Sequence, residues 1–268
     1  MSRNTALTID SLAAMKRDGE KITMLTCYDA TFGRAMDRAG IDILLIGDSL
    51  GMVVQGRPTT VGVTVEDVAY HVGCVAAGVE RSFLLGDLPF GSYPDGPAAM
   101  ESAVELMSAG AAMVKLEGAG PMIEVTSYLA ERGVPVCGHL GLTPQSIHQL
   151  GGFKVQARED AAAQRLLRDA LALQEAGARL LVLECVPAAL GREVSAALDL
   201  PVIGIGAGAG CDGQVLVMHD MLGLGMKGGR MPRFVADFMA GANSVQGAFE
   251  AYRQAVREGR FPGPEHEY

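Results

Sequence analysis

Functional side chains stand at the ends of five short apolar runs of this sequence. They are Asp48 and Ser49, Asp87, Lys115 and Glu117, His139, and Glu184. Taken singly, an acid after a strand is most often a helix cap or turn former, and a single histidine is most often structural. Taken together, four carboxylates at one edge of a fold would repel one another unless a cation held some of them. The set therefore predicts a site for a metal ion.

The ligand types indicate which metal this is. Carboxylates without paired histidine or cysteine ligands favour Mg²⁺ over zinc. Mg²⁺ typically takes one or two protein carboxylates and completes its octahedron with water and substrate oxygens. Lys115 has two open interpretations, since it could merely neutralise an acid or could meet an anionic substrate.

The elements that must position these residues alternate along the chain. Apolar, β-branched runs predict strands at 21–28, 42–47, 82–87, 111–116, 134–138, 179–184, 201–205 and 214–218. Amphipathic patterns predict helices at 30–39, 64–78, 96–109, 121–132, 159–176 and 188–198. The strand runs are continuously apolar, which indicates burial on both faces in a parallel sheet covered by helices.

About eight such units in this length predict a single (β/α)₈ barrel domain spanning 1–268. A doubly wound open sheet is the alternative. Segment 8–17 predicts an extra helix that plugs the bottom of the barrel, and the tail 232–260 is predicted to be helical and to lie outside it. In such a barrel the carboxyl ends of the strands meet on one face, where active sites of this fold lie.

Local signals support this division of the chain. Thr64 with Asp67 is typical of a capping box, and Asp160 is predicted to cap the helix that follows it. Gly40, Gly110, Gly133 and Gly177 are predicted to end helices in the left-handed conformation. The long loop 143–158 is interpreted as a lid or a subunit contact. Its Lys154 and Arg158 are candidates to meet an anionic substrate tail.

Composition excludes several classes of protein. Apolar residues make up 49% and charged residues 20% of the chain, which predicts a globular core. The net charge of −9 without a basic run argues against general nucleic-acid binding. Five scattered cysteines predict reduced buried thiols. The sequence predicts neither a membrane span nor a targeting segment, so the expected location is the cytoplasm.

At its polar strand ends the sequence resembles the ketopantoate hydroxymethyltransferase (3-methyl-2-oxobutanoate hydroxymethyltransferase) family. The resemblance rests on Ile46-Gly47-Asp48-Ser49-Leu50-Gly51-Met52, Asp87-Leu88-Pro89-Phe90, Val114-Lys115-Leu116-Glu117-Gly118, Gly138-His139-Leu140-Gly141-Leu142-Thr143-Pro144-Gln145-Ser146 and Leu183-Glu184-Cys185-Val186-Pro187. The block from Pro201 to Gly208 and Asp212-Gly213-Gln214 extend it. It covers nearly the whole chain. Gly86 and Met218 depart from the expected pattern and affect packing only.

This resemblance implies a function. The family is a group of Mg²⁺-dependent barrel enzymes of pantothenate biosynthesis. They transfer a one-carbon unit from 5,10-methylenetetrahydrofolate to 3-methyl-2-oxobutanoate, giving 2-dehydropantoate. The resemblance also implies assembly as a homodecamer.

Carried over by motif, the family's roles fall on the polar strand ends. Asp48 and Asp87 would hold the metal, with Glu117 beside it directly or through water. Ser49 and Lys115 would bind the keto acid together with Asp48 and Asp87, and His139 would be a further polar contact. Glu184 would be the proton acceptor.

Two rival functions remain open at this stage. Another enolate-forming Mg²⁺ barrel, a lyase or aldolase acting on a different 2-keto acid, would keep the metal acids but need no folate. A sensor or scaffold barrel would bind metal or keto acid without accelerating proton exchange at C3.

Overall fold

The computed structural model describes residues 5–225 and 231–268. Its strands are β1 Ile22–Thr26, β2 Ile43–Ile46, β3 Phe83–Asp87, β4 Met113–Glu117, β5 Val136–Gly141, β6 Leu180–Glu184, β7 Val202–Ile205 and β8 Gly213–Leu216. These strands are parallel and pair in chain order, and β8 also pairs with β1, which closes the barrel. The predicted (β/α)₈ barrel is confirmed, and the open-sheet alternative is wrong.

Helices surround the barrel, and the first of them closes its lower end. They are α1 Ile9–Arg17, α2 Ala30–Ala39, α3 Leu50–Val53, α4 Val65–Ala76, α5 Gly96–Ala109, α6 Pro121–Ala130, α7 Ile147–Leu150, α8 Asp160–Glu175, α9 Ala188–Ala197, α10 Met218–Met221 and α11 Val245–Arg257. Two 3₁₀ turns lie at Pro144–Ser146 and Pro264–His266. The bounds of α2 and α5 are those predicted from the amphipathic pattern.

The predicted caps had mixed outcomes. Thr64 and Asp67 form the reciprocal capping box at the start of α4, as predicted. Asp160 does not cap α8, because it is the first helical residue and Glu159 occupies the cap position without a side-chain bond. The four glycines predicted at helix ends all have positive φ, and Gly40 caps α2 in the left-handed conformation at 82°.

Helix α1 closes the lower end of the barrel, defined here as the amino-terminal ends of its strands. Leu12 and Met15 are buried in one cluster with inward-facing strand residues such as Ile22 and Leu85. Lys16 fixes the helix in place, since its Nζ donates to the carbonyls of Ser195 and Leu200 and to Asp212 Oδ2. The predicted plug is confirmed.

The lower end also holds a buried group of charges, named here the lower ion cluster. It consists of Asp42, Arg81, Arg257 and Thr23. The Asp42 carboxylate is 1% exposed and accepts from both guanidinium groups at 2.9–3.0 Å. Thr23 donates to it from its backbone N–H and its hydroxyl at 2.9 and 2.7 Å. Since Arg257 belongs to α11, this carboxylate connects the last helix to the barrel.

The tail is less helical than predicted. Of the segment 232–260, only Val245–Arg257 forms a helix. Before it, Asp237 Oδ1 accepts from the backbone N–H groups of Met239 and Ala240, a local turn that competes with helix formation. Phe238 nevertheless packs edge-on against Tyr252, so the segment covers the barrel without regular structure.

The state of the cysteines agrees with the prediction of reduced, mostly buried thiols. All five cysteines are free, and each except Cys74 is buried. Among the described residues, no helix combines the length and the apolar character needed to cross a bilayer.

Candidate active site

Alternation along each strand delivers polar side chains to the upper, carboxyl-terminal end of the barrel. Phe83 and Leu85 of β3 belong to the apolar interior, and two residues later the same inward face presents Asp87. Strands β4, β5 and β6 follow the same rule and present Lys115, Glu117, His139 and Glu184. The apolar interior therefore ends in a charged layer.

One cavity of about 510 Å³ opens over this layer. Its lining contains every candidate residue from the sequence, namely Asp48, Ser49, Asp87, Lys115, Glu117, His139 and Glu184. The name upper acid cluster is used below for Asp48, Asp87, Glu117 and Glu184 with Lys115 and His139. The fold brings together all of the residues that the motifs singled out.

Lys115 lies between two of these carboxylates. Its Nζ is 2.6 Å from Asp87 Oδ1 and 3.6 Å from Glu117 Oε1, and its side chain is 4% exposed. Burial by itself would lower the pKa of this ammonium group, but the carboxylates of Asp87, Glu117 and Asp48 outweigh burial and raise it. Lys115 is therefore a fixed positive charge on the cavity floor.

Asp48 contrasts with Asp87 because it has no lysine or arginine partner among the described residues. Its Oδ2 accepts from Gln145 Nε2 at 3.0 Å. Burial, followed by the neighbouring carboxylates of Asp87 and Glu117, raises the pKa of Asp48 well above its ordinary value. A bound cation would relieve this cost.

His139 lies between Glu117, inside the cluster, and Glu184 at its edge. Its Nδ1 lies 3.0 Å from Glu117 Oε1, and its Nε2 lies 3.3 Å from Glu184 Oε2. Burial opposes the charged imidazolium, but Glu117 outweighs it and raises the pKa of His139 to about 9. The Glu184 carboxylate, whose side chain is 14% exposed, thus lies at ion-pair distance from His139 at the edge of the cluster, although the buried Nε2 forms no hydrogen bond with the described residues.

Ser49 is positioned by a tyrosine that the sequence did not single out. Its Oγ lies 2.8 Å from the hydroxyl of Tyr28, whose pKa is raised by burial. Gly47 keeps the neighbouring space open, because a Cβ there would lie 3.0 Å from Ser49 Oγ and 3.7 Å from Asp87 Oδ2. The Ser49 hydroxyl and the carboxylates of Asp48 and Asp87 therefore border the free volume of the cavity.

The donor set fits a hard divalent cation. In the part of the chain that the structure describes, three of the four carboxylates of the upper acid cluster share two side chains that can be cationic, Lys115 and His139, and Asp48 contacts neither. No group of three or more His, Cys, Asp or Glu side chains in those residues is placed so that it could hold a metal ion, so they contain no protein-only cage. Mg²⁺ needs no such cage, since one or two carboxylates with water and substrate suffice. The deficit of positive charge and the free volume beside Asp48 and Asp87 both suit this ion.

The mouth of the cavity is more apolar than its floor. Phe153, Phe234 and Tyr268 line it together with Lys154 of the long loop. The backbone N–H of Gln156 donates to the carbonyl of Cys185 at 2.8 Å, which ties that loop to the residue after Glu184. Arg158, the other candidate for an anionic tail, is exposed and does not line the cavity.

A second cavity of about 660 Å³ opens at the lower end, beside α1. Its polar groups bond to each other, since Gln174 Oε1 accepts from the backbone N–H of Asp199 at 2.7 Å. Charged residues with unmet partners gather at the upper cavity, which is therefore the candidate active site.

Sequence reasoning missed three residues of the site, Tyr28, Gln145 and Tyr93. Gln145 and Tyr93 are both buried, and both contact the upper acid cluster. Gln145 follows β5 within a motif that the resemblance already quoted, so its position was a usable signal. Tyr93 lies in a loop and carried none.

The sequence is similar to known proteins over its whole length. A family model described as ketopantoate hydroxymethyltransferase matches residues 6–264. Relatives from Burkholderia multivorans and Burkholderia thailandensis, each named 3-methyl-2-oxobutanoate hydroxymethyltransferase, are 56% identical over 267 residues, which is 100% of this chain and 98% of each relative.

Solved structures with the same fold are more distant. A phosphonopyruvate hydrolase in complex with oxalate and Mg²⁺ aligns with a TM-score of 0.60 at 12% identity, over 81% of each chain. A 2,3-dimethylmalate lyase aligns with a TM-score of 0.57 at 15% identity, over 78% of this chain and 80% of that one. At such low identity these structures show a shared barrel fold alone.

Proposed function

The chain belongs to the ketopantoate hydroxymethyltransferase family, and on that premise we propose that it transfers a one-carbon unit from 5,10-methylenetetrahydrofolate to 3-methyl-2-oxobutanoate, giving 2-dehydropantoate and tetrahydrofolate. The upper acid cluster is the observation that carries this proposal. A buried excess of carboxylates beside a fixed ammonium group suits a divalent cation together with a small anionic substrate.

Asp48 and Asp87 would hold Mg²⁺, with Glu117 beside them. Bound there, Mg²⁺ would stabilise the negative charge that develops on the ketone oxygen as the keto acid forms its enolate.

Lys115 binds and orients the acceptor. The keto acid is an anion, and the surrounding carboxylates would repel it without a compensating charge. The Lys115 ammonium supplies that charge on the cavity floor, and the Ser49 hydroxyl offers a hydrogen bond beside it. Together these groups fix the carboxylate end of the substrate.

Glu184 removes the proton from C3. Its carboxylate comes from β6, across the cavity from Asp48 and Asp87, and it is the most exposed acid of the cluster. His139 Nε2 lies at ion-pair distance from this carboxylate. The electron pair of the broken C3–H bond passes into the enolate, which then forms its new bond from C3 to the folate-derived one-carbon electrophile. General base catalysis of this kind contributes about 10²–10⁴-fold.

The exchange of the C3 hydrogen with D₂O tests the role of Glu184. We expect Glu184→Gln to slow exchange by about 10²–10⁴-fold and to leave keto-acid affinity intact, because the amide cannot accept the proton. Glu193→Gln, an exposed acid on α9, is the matched control and should exchange at the wild-type rate. Wild-type exchange in Glu184→Gln would refute this assignment.

Folate dependence tests the overall reaction. The wild-type protein should form 2-dehydropantoate from 3-methyl-2-oxobutanoate only when the folate donor is present. Exchange without folate-dependent product would instead indicate an enolate-forming enzyme that acts on a different 2-keto acid.

Assembly as a homodecamer is proposed from the family alone. Sedimentation velocity of the purified protein tests it, and a monomeric or dimeric species at micromolar concentration would contradict it.

A further inference from the structure

Gln145 contacts two carboxylates of the upper acid cluster, those of Asp48 and Glu117. Its Nε2 donates to Asp48 Oδ2 at 3.0 Å and to the carbonyl of Leu88 at 2.9 Å. Its backbone N–H donates to Glu117 Oε2 at 3.0 Å. One residue that is 4% exposed therefore contacts two of the three carboxylates proposed to surround the cation.

The orientation of the Gln145 amide is set by its partners. Its Oε1 accepts a hydrogen bond from the hydroxyl of Tyr93, and the same hydroxyl oxygen accepts from the backbone N–H of Glu117 at 3.3 Å. A flipped amide would place its oxygen against the oxygens of Asp48 and Leu88, which are both acceptors. The NH₂ group must therefore point at Asp48.

The neutral amide of Gln145 affects Asp48 differently from the way the Lys115 ammonium affects Asp87. Lys115 neutralises Asp87 by direct contact, whereas the Gln145 amide orients the Asp48 carboxylate and leaves its negative charge uncompensated. It also occupies only Oδ2, so Oδ1 remains available to a ligand. Such supporting hydrogen bonds commonly fix carboxylates that bind metal ions.

We infer that Gln145 is a positioning residue for the cation site, holding the Asp48 and Glu117 carboxylates in the arrangement that binds Mg²⁺, with Tyr93 fixing its amide. This inference rests on the proposed function, because that function supplies the cation. Gln145 acts through the two acids and does not itself contact the substrate.

Direct titration with Mg²⁺ tests this inference without any turnover. Gln145→Met keeps the length of the side chain and the backbone N–H but removes both amide donors. We expect its Kd for MgCl₂ by isothermal titration calorimetry to rise by about 10–100-fold, the usual cost of losing a residue that supports a metal ligand.

Gln214→Met is the matched control. Gln214 is equally buried at 3% exposure, and its Nε2 also donates to a backbone carbonyl, that of Gly208. It contacts no member of the cluster. We expect both variants to lose stability in EDTA, but only Gln145→Met to bind Mg²⁺ more weakly. Equal weakening in both variants would mean general loosening of the barrel and would overturn the inference.

The single variant Tyr93→Phe keeps the test decisive if Gln145→Met does not fold. Tyr93→Phe removes the hydroxyl that fixes the amide and should also weaken Mg²⁺ binding. Where both variants fold, the effect of Tyr93→Phe should be smaller in the Gln145→Met background, because the two residues act as one unit.

The outcomes separate the two hypotheses. Wild-type affinity for Mg²⁺ in Gln145→Met, or in Tyr93→Phe if only that variant folds, would overturn the role of Gln145 while leaving the proposed function intact. A wild-type protein that binds no Mg²⁺ would instead remove the cation from the proposed function, and the inference with it.

Discussion

The two ends of β2 carry aspartates with opposite surroundings. Asp42 lies at the lower end, where two arginines and Thr23 satisfy its carboxylate. Asp48, six residues later at the upper end, receives one neutral amide and faces other acids. Both side chains are buried in the same barrel.

This difference separates a structural charge from a functional one. The lower ion cluster already contains the cations that its acid needs, so it holds α11 to the barrel and has no need of a ligand. The upper acid cluster has four carboxylates for two side chains that can be positive, and burying this excess of negative charge destabilises the folded chain. Burial alone therefore does not identify a site, whereas a charge deficit in a cavity does.

The largest expected effect is the loss of stability when the lower ion cluster is broken. Asp42→Ala removes the buried carboxylate that Arg81 and Arg257 share and leaves Arg257 only the exposed Glu20, which should lower the free energy of unfolding by about 3–5 kcal/mol. Urea denaturation measures this loss. The Kd for Mg²⁺ should stay at the wild-type value, and a shift in that Kd would contradict the separation of the two ends.

The second effect comes from the upper acid cluster, where a substitution should weaken binding without loss of stability. Asp48→Ala or Asp87→Ala should weaken the binding of both Mg²⁺ and the keto acid by about 100-fold or more. Losing a metal ligand should cost at least as much as losing a residue that only supports one. The metal-free Asp48→Ala protein should be no less stable than wild type, since the change removes a buried charge that neighbouring acids repel. Calorimetric titration and urea denaturation measure the two quantities. Unaltered Mg²⁺ titrations would refute the ligand assignment.

A third, smaller effect comes from adding the metal. At ten times its Kd, Mg²⁺ should stabilise the wild-type protein by about 1.4 kcal/mol through preferential binding to the folded state. Asp42→Ala should gain the same increment from its lower starting point, and Asp48→Ala should gain none. Thermal unfolding with MgCl₂ and with EDTA tests this, and an equal gain in all three proteins would indicate binding elsewhere.

The smallest effect provides a reference outside both clusters. Thr64→Ala removes one half of the capping box of α4 and should cost about 1 kcal/mol. Urea denaturation should show this loss, and Mg²⁺ affinity should not change. A larger loss would indicate that α4 supports the cavity directly.

The sequence predicted the barrel and the positions of the acids for a simple reason. Parallel strands buried on both faces read as unbroken apolar runs, and a polar residue at the end of such a run is conspicuous. Because all eight strands point the same way, the ends of these runs must meet. Asp48, Asp87 and Glu184 could therefore be grouped without coordinates.

The partners of these acids could not be predicted in the same way. Arg257 lies 215 positions from Asp42, and Gln145 lies 97 positions from Asp48. No local pattern records such pairings, since they depend on which loop folds over which strand. The tail before α11 shows the same limit, because the turn at Asp237 prevailed over an apparently helical composition.

The plug formed by α1 has a kinetic consequence. The apolar interior of the barrel, which Leu12 and Met15 complete at its lower end, closes the upper cavity from below, so two substrates must share the upper mouth. Whatever binds deepest must then arrive first and depart last. For the proposed reaction this means compulsory-order kinetics, with the keto acid bound on the floor before the bulkier folate covers it. Product-inhibition patterns reveal that order, and random addition would show that the acceptor reaches the floor past a bound donor.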